Sequence, residues 1–342
     1  MQRDRFVALD GLRGVAAIAV LLHHTPGVPA RLGHLSVDLF FLLSGFVIAK
    51  SYEQRLVDGR LSVRAYAALR LERLYPLLFI GSIIGIALWG LGVGDAHFPD
   101  ARTAGLAVTG QLLLVPLFAA PLLFAFNNAY WSICFELMAN LAHALAAKWL
   151  SDRVLWATAG LSAVAMVLAG RHYGTLDLGW NRGNFLAGLP RVGFGYFGGV
   201  LLWRTRAAWM GRVPALPFVG LSLVLFALTN LPLSLIGAAN GNALVELGIV
   251  LVVFPPLVMA GSMADGSRLA GALGTLSFPL YAVHYPILKA AGLPHGGLAL
   301  GAVLALLVGG AWALGEWVDE PLGEWRRARR KARTAAARPG YA

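Results

Sequence analysis

His24 follows Arg13 by eleven positions on a stretch that is otherwise apolar, running Gly14-Val15-Ala16-Ala17-Ile18-Ala19-Val20-Leu21-Leu22. A neutral imidazole can take the proton from a hydroxyl and so turn its oxygen into a nucleophile. Burying a polar group in an apolar phase costs several kcal/mol unless it is paired, so a histidine kept there is a candidate general base. Eleven residues of helix rise roughly 16 Å. With Arg13 at one headgroup boundary, His24 falls near the middle of a hydrocarbon core about 30 Å thick. His284 climbs a similar distance along a span read as starting near Leu273, and it either shares the chemistry or packs beside Tyr281 and Tyr285. His23 points about 100° away from His24 around the helix and reads as a packing or interface residue.

Other charged residues stand at spacings that carry meaning. Asp38 opens the second apolar stretch, where it either accepts from a ring nitrogen of His24 or caps its own helix N-terminus. Arg70 and Arg73, at i and i+3, put two guanidinium forks on one helix face, a geometry suited to phosphates. The alternative is a pair of snorkelling interfacial cations. Glu136 lies about 7 Å into its helix, which places it in the outer third of the membrane, binding acceptor hydroxyls or holding a basic partner such as Arg191. Cys134 reads as a small core residue rather than a nucleophile.

The elements that must position these groups are membrane helices. With 58% hydrophobic and 13% charged residues and a mean hydropathy of +0.68, the chain is far more apolar than a soluble domain. The lipid bilayer is therefore its first partner. About ten spans of apolar residues are expected in an all-α, polytopic membrane protein. They are Val7 to Pro26, Ser36 to Ala49, Tyr75 to Gly94, Trp131 to Leu150, Val154 to Gly170, Phe185 to Trp203, Ala215 to Leu231, Ala243 to Met263, Leu273 to Ala291 and Gly297 to Val318. An amphipathic helix is expected to carry Arg70 and Arg73 and to end at Tyr75-Pro76. Ala104 to Phe126 is apolar enough to be an eleventh span, but Pro116 and Pro121 interrupt it, and a re-entrant or surface hairpin is the better reading.

This count puts both termini in the cytoplasm, with 22 of the 28 Lys and Arg residues on the inner side. The net charge of +11 follows from cytoplasmic loops facing anionic headgroups, not from nucleic-acid binding. One domain is expected over 1–325. The basic segment 326–342 reads as a disordered cytoplasmic tail, and no cleavable leader is expected at the N-terminus.

Leu9-Asp10-Gly11-Leu12-Arg13 through His24, Ser36 to Phe46 around Asp38, Arg70-Leu71-Glu72-Arg73-Leu74-Tyr75-Pro76, Trp131-Ser132-Ile133-Cys134-Phe135-Glu136, and Ser277 to His284, in that order, resemble the acyltransferase-3 family of integral membrane O-acyltransferases. In the family pattern an Arg or Lys is followed, after ten intervening residues, by a His. Asp319-Glu320-Pro321 departs in residue type from the charged residue before proline of many relatives, and reads as a helix terminus.

The resemblance implies transfer of an acyl group, acetyl above all, from acetyl-CoA or another acyl-CoA to a hydroxyl of a sugar or glycan. It implies modification of cell-envelope polysaccharide at the inner membrane. Some relatives acylate small molecules such as macrolide sugars instead. The candidate set is then His24, Asp38, Glu136 and His284 for catalysis and Arg13, Arg70, Arg73 and Tyr75 for the donor. Asn127, Asn128, Trp131, Ser132 and Tyr281 are the candidates for the acceptor. No metal is expected. The rival class is a transporter using the same buried charges as a proton or solute site, which would show two related halves with broken spans.

Overall fold

The computed structural model describes residues 6–28, 32–93, 96–230, 242–292 and 297–336, with side chains to Arg329. Its architecture is helical, with one isolated antiparallel bridge between Leu122 and Asn181 among the described residues. The helices are α1 (Val7–His24), α2 (Gly33–Val57), α3 (Val63–Gly90), α4 (Ala101–Leu113), α5 (Tyr130–Ala146), α6 (Asp152–Tyr173) and α7 (Phe185–Arg204). They continue as α8 (Phe218–Thr229), α9 (Ala243–Met263), α10 (Arg268–Ala290), α11 (Leu298–Leu314) and α12 (Glu320–Ala336). Among the described residues seven helices, α1, α2, α3, α6, α7, α9 and the continuous run of α11 into α12, are long and apolar enough to cross a membrane. The other three expected spans hold α5, of 17 residues, α8, of 12, and α10, of 23.

Helix starts follow local chemistry. Ser62, Asp100, Ser151, Asn242 and Ser267 each accept a backbone N–H of the first turn, as a capping side chain should. Among the described residues four wide π turns interrupt the ladder, at 49–53, 193–197, 249–253 and 315–319. Such turns often mark functional positions, and those at 49–53 and 315–319 supply Lys50, Ser51, Tyr52 and Asp319 to the cavity described below.

Two expectations change and one holds. Pro76 does not end a helix: α3 runs through it without a break. In a bundle, packing against neighbouring helices makes the lost backbone hydrogen bond tolerable. Ala104 to Phe126 forms no continuous span: α4 (Ala101–Leu113) stops where Leu114 takes a left-handed conformation (φ 57°) and the chain turns back through Pro116 and Pro121, in keeping with the hairpin reading. The basic segment from Arg326 is helical as far as Ala336, with Glu320 and Glu324 one turn apart in its opening stretch. Residues 337–342, Arg3, Arg5 and Arg31 lie outside the described residues.

Close glycine packing sets the register of the core. A Cβ at Gly14 of α1 would lie 2.2 Å from the Leu273 carbonyl of α10, and one at Gly274 would meet Asp10. Small residues let membrane helices approach this closely. Ten or eleven residues further along each helix stand His24 and His284, so α1 and α10 run parallel and deliver the two histidines to one level. Gly199 of α7 packs in the same way on the Leu42 carbonyl of α2.

Candidate active site

His24 Nδ1 lies 3.3 Å from His284 Nε2, with the ring centroids 5.2 Å apart. Backbone carbonyls decide which nitrogens carry hydrogen, since a carbonyl can only accept. His284 Nδ1 faces the Tyr281 and Leu280 oxygens at 2.9 and 3.1 Å, so it is the protonated nitrogen and its Nε2 is an acceptor. His24 Nδ1 faces the Val20 oxygen at 3.0 Å, so its N–H serves Val20 and His284. The lone pair of His24 then falls on Nε2, the nitrogen a general base would use. Tyr285 packs edge-on against His24 at 5.3 Å.

On the side of the Arg13 end lies a cavity of about 740 Å³, within the range of small-molecule sites. It brings together Arg13, Arg70, Arg73 and Glu136, with Lys50, Arg326 and Arg327 adding cations. Its far wall carries Ser132, Phe40 and Tyr281. His24 and His284 are not among its lining residues, so Tyr281 is the partition. Its ring stands 5.6 Å from both Phe40 and His284, and its hydroxyl donates to the Ala129 carbonyl at 2.9 Å and meets Ser132 Oγ at 2.6 Å.

The cations are not bare. Arg13 donates to Asp10 at 3.0 Å and to the Leu43 carbonyl at 3.1 Å. Arg70 donates to Glu136 Oε1 at 3.0 Å, and Ser44 Oγ donates to the same oxygen at 2.7 Å. Arg73 is held by both oxygens of Asp319, at 2.5 and 2.7 Å, with its side chain 46% exposed. Arg70 also lines the cavity and is only 15% exposed.

Several candidates sit elsewhere than expected. Asp38 does not reach His24. It accepts twice from Arg191, at 3.1 and 2.7 Å, both residues being about 1% exposed. Glu136 accordingly takes Arg70 as its partner, not Arg191, and it shares the cavity with Arg13 instead of lying toward the opposite face. Arg191 also lies 5.2 Å from the Trp131 ring, which places Trp131 in that buried clamp.

Asn127 Nδ2 donates to the Ala282 carbonyl at 2.8 Å, and the Tyr130 hydroxyl, 3.2 Å from that oxygen, donates to the Leu78 carbonyl at 2.8 Å. Ala282 is free to accept because Pro286, four residues on, has no N–H to offer. Asn127 therefore repairs a helix, and Asn128 is buried beside it. Tyr75 donates to the Leu112 carbonyl at 3.0 Å and does not line the cavity.

The sequence reading missed Ser44 and Asp319 as partners of Glu136 and Arg73. It also missed a buried network in which His143 contacts Glu53 at 3.2 Å and Tyr196 at 3.1 Å while Arg204 closes on Glu53 at 2.8 Å. The histidine among apolar residues of α5 is its one sequence signal.

The profile of the acyltransferase domain of the acyltransferase-3 family matches residues 6–316. Protein 2 in the picA locus of Rhizobium radiobacter is 34% identical over 183 residues, 48% of this chain and 93% of that protein. The acyltransferase MdmB of Streptomyces mycarofaciens is 30% identical over 187 residues, 47% of this chain and 45% of that protein. The peptidoglycan O-acetyltransferase OatA of Listeria monocytogenes is 32% identical over 78 residues, 22% of this chain and 12% of that protein. No solved structure matches.

Proposed function

Because the chain belongs to the acyltransferase-3 family, and so is a multi-pass membrane acyltransferase, we propose that it moves an acetyl group from cytoplasmic acetyl-CoA, or a related acyl-CoA, to a hydroxyl of a sugar or glycan, with His24 as the general base. The observation that supports this reading is the His24–His284 pair, in which the Tyr281 ring stands between His284 and a cation-lined cavity while His24 keeps a lone pair on Nε2.

In this mechanism the cavity faces the cytoplasm at the inner membrane, where coenzyme A thioesters are made. Arg13, Arg70 and Lys50 receive the donor phosphates, and the thioester reaches the wall formed by Tyr281 and Phe40. A shift of the Tyr281 ring joins it to the histidines. The acceptor hydroxyl loses its proton to His24 Nε2 as its oxygen attacks the thioester carbonyl. The tetrahedral intermediate then expels the thiolate, which takes a proton as the acyl ester forms. His24 Nδ1–H points at His284 Nε2 throughout, which holds the ring and eases the positive charge it gains. The relatives named for peptidoglycan O-acetylation and for acyl transfer favour this reading over a transporter.

Purified protein is incubated with radiolabelled acetyl-CoA and a panel of glycans and macrolide sugars. Release of free coenzyme A that depends on one acceptor class supports the proposal. Failure of every acceptor to elicit thioester cleavage overturns it.

A further inference from the structure

Beyond the histidine pair, at the end of α1 away from the cavity, three other side chains converge. His23, His34 and Asp177 each present one ligand atom, and these atoms all lie within 4.8 Å of one another. We propose that they form a binding site for one divalent transition cation of the zinc class, with two imidazole nitrogens, one carboxylate oxygen and a fourth position for water.

The donor set suits such an ion, since imidazole and carboxylate are the ordinary ligands of sites with three protein ligands and an open position. Bonds of about 2.0–2.2 Å place tetrahedral ligands roughly 3.3–3.5 Å apart. His23 Nε2 and Asp177 Oδ2 are 3.9 Å apart, so this pair closes on an ion by about half an ångström, and a pair at the 4.8 Å limit of the cluster closes by about 1.4 Å. The three residues come from separate parts of the fold: the last turn of α1, the first turn of α2 and the loop after α6. His23 adds a favourable field, because the final carbonyls of α1 are the negative end of its dipole.

A shell of buried groups holds the ligands in place, as liganding imidazoles and carboxylates require. Glu246 Oε2 stands 3.5 Å from His34 Nε2, and Glu246 itself accepts from the Leu176 N–H and from Thr175 Oγ1 at 3.0 Å. Thr175 Oγ1 in turn accepts the Asp177 N–H at 3.1 Å. Arg191 ties the remaining two pieces together. It donates to the Leu178 carbonyl at 2.6 Å, next to Asp177, and to the His34 carbonyl at 3.3 Å, while Asp38 neutralises it. His34 is buried, whereas His23 and Asp177 keep side-chain exposures of 22% and 35%, so an ion has a way in. The His23 and His24 rings are 5.1 Å apart, and a bound ion would fix the turn that carries both. The inference does not rest on the acyl-transfer reading.

The test is metal binding by the full chain in detergent micelles, stripped with chelator, loaded with Zn²⁺, desalted and measured for metal content. Co²⁺ loading adds a visible d–d spectrum as a report of ligand geometry. One Zn²⁺ per chain is expected, lost in His23→Ala and in Asp177→Asn but kept in His172→Ala, which changes an exposed histidine on α6. Glu246→Gln should weaken binding about 10–100-fold, the usual cost of removing an outer-shell partner. Helical circular dichroism and size-exclusion behaviour check folding. Should His23→Ala fail to fold, the near-isosteric Asp177→Asn decides. Wild-type protein that retains no Zn²⁺, or variants that retain as much as the wild type, overturn the proposal.

Discussion

Asp38→Asn separates two accounts of a residue that sits beside the proposed active site. Asp38 accepts two hydrogen bonds from Arg191, and Arg191 donates two more to the Leu178 and His34 carbonyls, all in an interior where neither side chain is more than 1% exposed. Removing one partner of such a pair strands the other charge, at a cost of about 3–5 kcal/mol. Asparagine keeps an acceptor oxygen for one guanidinium bond, so about 2–3 kcal/mol is expected for Asp38→Asn and the full cost for Asp38→Ala. A loss of that size takes a large share of a typical stability of about 5–15 kcal/mol.

The assay is thermal unfolding of purified protein in detergent, run as a double-mutant cycle with Arg191→Met. A large coupling energy is expected, with the double variant less impaired than the sum of its parts. Because Asp38 does not touch His24, the folded fraction of Asp38→Asn should keep its turnover within a few-fold of wild type. If Asp38 instead fixed the tautomer of His24, the rate should fall by about 10⁴, as in a triad stripped of its aspartate. A rate loss of that order with an unchanged melting temperature would refute the assignment.

Arg70→Ala should raise the donor KM more than it changes the affinity for acceptor, and Arg70→Lys should recover only part of the loss, because the planar fork is missing. Arg73→Ala should have the smaller effect, since Arg73 is half exposed and already clamped by Asp319; a larger KM effect than that of Arg70→Ala would reverse the order. Asn127→Ala should lower the melting temperature by the equivalent of about 1–3 kcal/mol without altering acceptor KM, because it leaves the Ala282 carbonyl short of a donor. A reporter fused after Ala342 should read as cytoplasmic; an external signal would require one more or one fewer crossing than ten.

The shared depth of His24 and His284 was legible from sequence because it needs only helix rise; their contact was not, because it depends on how closely α1 and α10 pack. Arg13 and Leu273 fix comparable starting depths, and glycines at 14 and 274 bring the helices into contact. The pairing of Arg191 with Asp38 was not legible, because it depends on how two helices separated by 153 residues rotate about their axes. Glu136 was set too far from Arg70 for a related reason: residue counting gives distance along α5 but not where α5 begins relative to the lipid. Pro76 misled by marking a helix end in soluble proteins, whereas in a bundle α3 passes through it. His23 read as a packing or interface residue, and its proximity to His34 and Asp177 was not legible because these come from a tight turn and a loop that carry no periodic signal.

The central claim, that His24 is the base for acyl transfer from a coenzyme A thioester, is tested most directly by acceptor-dependent release of coenzyme A in wild type and His24→Ala, with donor binding measured on the same samples. Donor affinity is expected to be unchanged and the rate to fall by about 10²–10⁴. A His24→Ala variant that transfers acetyl at the wild-type rate would contradict the claim.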